Sequence, residues 1–136
     1  MLCQENNTCD VERKLVGFFN FDLKRELKSA ENEFTRLHNA IFALVEPEIP
    51  DNTITLTKNE RKALKSFQSD ALSRVRQARN QAKKVQLLAV NYHSQSGPLL
   101  YRRPRSKRAK LWWQSRIESL NQLEIVFNMI MGPYEN

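Results

Sequence analysis

Glycine and cysteine are scarce in this chain. Its 136 residues include three glycines and two cysteines, and neither glycine nor proline occurs from Thr57 to His93. So little turn-forming residue argues against a meander of short strands and for long helices joined at few points. It also leaves no glycine-rich loop to cradle a nucleotide phosphate. Cys3 and Cys9 lie close together near the start of the chain. A disulfide closing so short a loop would staple nothing, so a reducing cytoplasmic or nuclear setting is expected. No window approaches 18 consecutive apolar residues, which argues against a membrane span or a membrane role.

The usual marks of catalysis are missing as well. No G-x-S-x-G or other motif pairs a nucleophile with a histidine, and the two histidines and two cysteines lack metal-ligand spacing. His38 flanks an apolar stripe and suits packing better than proton transfer, and His93 ends a helical stretch, where the helix dipole favours its charge. The chain is therefore expected to be no enzyme and to need no cofactor or metal.

Acidic residues thin out beyond the first third. Residues 1–57 carry ten acidic and six basic side chains, net −4; residues 58–93 carry two and nine, net +7; residues 94–136 carry three and seven, net +4. The whole-chain charge of +7 is thus concentrated in the last two-thirds, which points to a polyanion or an acidic surface as partner.

What is present is helical periodicity. Thr57 followed by Glu60 is a capping-box start, with the hydroxyl and the carboxylate each satisfying a free N–H. After it Leu64, Phe67, Ala71, Val75, Ala78, Ala82, Val85, Ala89 and Tyr92 recur at steps of three and four, one apolar stripe of a helix over about 58–93. An earlier stripe, Val16, Phe19, Leu23, Leu27, Ala30, Phe34, Leu37, Ile41 and Leu44, predicts a first helix over about 10–45. Asp10 is its expected cap, and Pro47 its stop. Residues 1–9 are expected to be flexible, and the Pro-containing, acidic segment 46–56 a loop. Gly97, Pro98 and Pro104 make residues 94–108 a basic connector. A third helix follows over about 106–131, with Trp113, Ile117, Leu120, Leu123, Phe127 and Ile130 on one face and Gly132-Pro133 as its stop. The expectation is one all-α domain over 10–136, an antiparallel bundle of two long helices and a shorter third. Because that third helix covers about half of the hairpin, a second copy is expected to close the open seam as a homodimer.

Two basic features carry the functional expectation. The segment Arg102-Arg-Pro-Arg-Ser-Lys-Arg-Ala-Lys110 holds six basic side chains in nine residues: Arg102, Arg103, Arg105, Lys107, Arg108 and Lys110. Such density repels itself unless an anion neutralises it, and guanidinium forks bond phosphate bidentately. Tyr101 before the run and Trp112 after it are candidates for stacking on unpaired bases, whereas Trp113 is expected in the core. The second feature is a stripe on the second helix: Lys58, Lys62, Lys65, Arg76, Arg79 and Lys83. It spans roughly 38 Å at about 1.5 Å per residue, with few acidic neighbours on the same helix. Together they predict a nucleic-acid-binding protein, with RNA favoured over DNA. The alternatives are an assembly subunit docking its basic face on an acidic partner, and a nuclear-import role for 102–110.

Overall fold

A computed structural model describes the backbone of residues 8–134 and the side chains of residues 22–134. It is all-helical. α1 runs Thr8–Phe42, α2 Lys58–Gln95 and α3 Leu99–Asn128, and a 3-10 turn follows at Gly132–Tyr134. Cys3 lies outside the described backbone, and the side chains of Cys9, Asp10, Val16 and Phe19 lie outside the described side chains.

α2 starts where the capping box puts it. The Glu60 amide donates to Thr57 Oγ1 at 3.1 Å, and the Thr57 amide donates to Glu60 Oε1 at 2.9 Å. α1 begins at Thr8, so Asp10 stands inside the helix rather than capping it. Its end at Phe42 falls a turn before Pro47, with Leu44 N–H closing a last tight turn on Ile41 C=O.

α3 departs most from expectation. It begins at Leu99, not near residue 106, so the segment read as a connector is mostly helix, and the true turn is Ser96-Gly97-Pro98. Pro104 lies inside the helix. It forgoes one bond, to the carbonyl of Leu100, early in the helix and beside an exposed residue where water can take that place. α3 is consequently longer than the shorter third helix of the sequence reading.

α2 is the central element. It packs antiparallel against α1 on one side and α3 on the other, while the backbones of α1 and α3 do not pack together. Ala71, Val75, Ala78, Ala82 and Val85 are wholly buried. Four of the buried positions along this seam, Ala71, Ala78, Ala82 and Ala89, are alanines, which let both neighbours approach closely. From α1 come Leu27, Ala30, Phe34 and Ile41, and from α3 Trp113, Ile117 and Leu120. Burying a side chain such as Ile117 or Leu120 contributes roughly 1.5–3 kcal/mol. Phe34 and Trp113 bridge the outer helices, edge to face with ring centroids 5.0 Å apart.

Polar side chains fix the register across the seams. Gln81 donates to Ala30 C=O and Arg74 to Ala40 C=O, tying α2 to α1. Gln86 donates to Lys110 C=O and Ser106 to Val90 C=O, tying α2 to α3. Gln68 donates to the carbonyls of Phe127 and Asn128, two of the acceptors that a helix C-terminus leaves free. A smaller cluster of Leu56, Leu64 and Met131 closes the end where the 43–57 loop meets the chain's last turns.

Candidate nucleic-acid interface

The Ser96-Gly97-Pro98 turn places the basic run. Gly97 has φ +80°, a left-handed conformation that favours glycine. Arg102 is half-buried and its Nε donates to Gly97 C=O at 2.9 Å. This arginine therefore braces the turn. The other five cations of the run are exposed, and none of the six pairs with a carboxylate among the described residues.

Helical geometry splits the run into two rows. Arg103, Lys107 and Lys110 step by four and three towards Gln114, whose side chain meets Gln86 of α2, so this row borders α2. Tyr101, Arg105, Arg108, Trp112 and Arg116 step likewise along the flank that borders α1. There charge and rings alternate. The Arg105 guanidinium carbon is 5.6 Å from the Tyr101 ring centroid. The Arg116 guanidinium carbon is 3.0 Å from the Trp112 centroid and 5.9 Å from that of Trp113. Trp112 is 50% exposed and Trp113 6%; one adjacent indole lies open while the other fills the core.

Arg105, Arg108, Trp112 and Arg116 of this second row line a groove between α1 and α3. One hollow of about 420 Å³ is bordered by Glu31, His93, Arg105, Arg108 and Trp112. The next, about 460 Å³, is bordered by Glu31, Phe34, His38, Trp112, Arg116 and Ser119. Glu31, Trp112 and Trp113 belong to both. His38 is held between Phe34, stacked at 5.3 Å, and Phe42, edge-on at 5.1 Å, consistent with a packing role. Partial burial of Arg116 pushes its pKa down from the usual guanidinium value. Among the described residues it makes no hydrogen bond or ion pair, only the two ring contacts.

The α2 stripe is less uniform than its spacing implied. Lys58, Lys62, Lys65 and Lys83 are exposed. Arg76 and Arg79 converge instead on Glu124 of α3, each at 2.9 Å, and Arg79 also reaches Asn121. Hydrogen bonds from Arg79 and then Arg76 hold the Glu124 carboxyl below its usual range. Lys58, Lys62 and Lys65 lie at the α2 end that meets Tyr134, where Arg61 donates to its carbonyl. The 102–110 run lies at the opposite end, beside Val90. From residue 62 to residue 90 the helix climbs roughly 42 Å, so the fold does not gather the two basic features into one patch.

Two side chains of the groove escaped the sequence reading. Arg116 stands four residues after Trp112, the spacing at which helical side chains meet, so its signal was present. Glu31 comes from another helix, and only the fold, which sets both α1 and α3 on α2 and joins them through Phe34 and Trp113, brings it there. Among the described residues no helix is long and apolar enough to cross a membrane. No family model, curated protein or solved structure matches the chain at a significant level. The functional reading accordingly rests on these residues alone.

Proposed function

We propose that this protein binds nucleic acid without catalysing a reaction, favouring single-stranded RNA over DNA. The observation that carries the reading is the first half of α3. Six cations in nine residues are ordered on a helix, none is neutralised by a carboxylate among the described residues, and half-exposed Tyr101 and Trp112 stand in line with them. Arg103, Lys107 and Lys110 would contact phosphates on the α2 side, Arg105 and Arg108 on the groove side. Lys83 and the distant Lys58, Lys62 and Lys65 would add weaker, longer-range attraction. Arg76 and Arg79 are left to Glu124. Aromatic faces beside guanidinium groups suit unstacked bases, which single strands offer and duplexes withhold.

The test is the absorbance of protein purified at low salt. A raised 260/280 nm ratio that ribonuclease removes supports the reading. Protein free of nucleic acid, and without affinity for RNA or DNA oligonucleotides at about 50 mM salt, refutes it.

A second reading has its own observation. Leu100, Leu111 and Ile125 are exposed on α3, and Met129 just past its end; these separate apolar side chains are ones that a partner surface or a second copy of the chain would cover. On that reading the protein is an assembly subunit or homodimer. Concentration-dependent mass in solution, abolished by Leu111→Lys, distinguishes it.

A further inference from the structure

We infer that the α1–α3 groove is a subsite for one unpaired nucleotide, its base stacked at Trp112 and its phosphates held by Arg116, Arg105 and Arg108. The inference rests on the nucleic-acid reading and sharpens it to one place and one ligand chemistry.

Three independent observations converge there. Trp112 is half exposed although Trp113, its neighbour in sequence, is buried and supplies the core contact with Phe34. The exposed half of the ring, beside the part that Arg116 covers, can thus meet a ligand without cost to the core. Arg116 is packed on that ring, with guanidinium donors that meet no acceptor among the described residues. A planar cation held against an indole and lacking an anion is preorganised for phosphate, because its orientation is already fixed. Finally, the two hollows meet at Trp112, and Arg105 and Arg108 border one while Arg116 borders the other. A chain laid along the groove would meet a cation on each side of the ring. Their combined volume is of the size that holds a small ligand or one nucleotide unit. A duplex would not place a base here, because its bases are stacked and paired.

Fluorescence separates this claim from its parent. Trp112 and Trp113 are the chain's two tryptophans, so an eight-nucleotide oligocytidylate would be titrated into the full chain while emission is recorded. Anisotropy of a labelled oligonucleotide reports affinity in parallel. The expected result is quenching that Trp112→Phe abolishes, since only buried Trp113 then emits. Trp112→Ala is expected to weaken affinity roughly five- to a hundred-fold, Trp112→Phe less, because a phenyl ring still stacks. Arg116→Ala is expected to weaken binding, and Arg116→Lys to restore part of it by charge alone. Circular dichroism checks that each variant is folded; should Trp112→Ala unfold, Trp112→Phe and the Arg116 pair still decide. Binding that is tight and salt-sensitive but leaves tryptophan emission unchanged, with both Arg116 variants equal to wild type, overturns the groove subsite and spares the parent reading. Absence of binding by any oligonucleotide overturns both.

Discussion

Arg116 and Glu31 face the same groove from different helices, and among the described residues one is a guanidinium without an acid and the other a carboxylate without a base. Both line the hollow that Trp112 borders, and no ion pair joins them. In a pure phosphate site Glu31 would only repel. Beside a stacked base it has a use, because base edges carry donors as well as acceptors.

Base preference follows from that carboxylate. Cytosine presents an amino group where uracil presents a carbonyl oxygen, and a glutamate accepts from the first and repels the second. Oligocytidylate is expected to bind about ten-fold more tightly than oligouridylate, within the roughly 1–3 kcal/mol of one base contact. Glu31→Ala is expected to erase the difference. Anisotropy titrations of both oligomers on both proteins measure it; an undiminished preference in Glu31→Ala removes this side chain from the site.

Glu124 makes stability depend on pH in a stated direction. Its folded-state pKa is lowered by hydrogen bonds from Arg79 and Arg76, so its contribution is complete above the ordinary carboxyl value of about 4.3. The contribution fades as pH falls through that value and through the lower folded one. The wild type should therefore unfold at a higher temperature than Glu124→Gln near neutral pH, and the gap should close with acidification. Thermal melts of both proteins across that range provide the check; a gap that persists unchanged into acid contradicts the ion-pair account.

Gly97 tests the turn that aims the basic run. An L-residue in its left-handed conformation costs roughly 1–2 kcal/mol, and a Cβ there would stand 3.0 Å from the Arg105 guanidinium. Gly97→Ala is expected to lose that much in urea unfolding. The loss should persist in an Arg105→Ala background, because the backbone and not the flexible side chain sets it. Recovery of stability in the double variant would assign the cost to the contact.

The parts that were legible in the sequence are those fixed by local spacing. Thr57 and Glu60 announced the start of α2, and the alanine-rich stripe from Ala71 to Ala89 announced its buried face, because both depend on neighbours one turn away. The start of α3 was obscured by Gly97, Pro98 and Pro104, which together look like a break. A proline early in a helix gives up a single bond, and here that bond belongs to an exposed residue. Mistaking the start also hid the arrangement of the basic run, whose division into two rows exists only once the residues are helical. The pairing of Arg76 and Arg79 with Glu124 joins positions far apart in the chain, and no inspection of α2 alone reveals it. Trp112 and Arg116 were within reach of spacing rules, whereas Glu31 required the third dimension.

The most direct measurement is the salt dependence of affinity for a single-stranded RNA, on wild type and on an Arg103→Ala/Lys107→Ala/Lys110→Ala variant. These three side chains are exposed and brace no turn, so their removal leaves the fold intact. Each phosphate contact to a single strand contributes about 0.7 to the slope of log affinity against log salt. The account expects steep dependence in the wild type and a slope shallower by roughly 2 in the triple variant. Equal slopes in the two proteins, or affinity indifferent to salt, would contradict it.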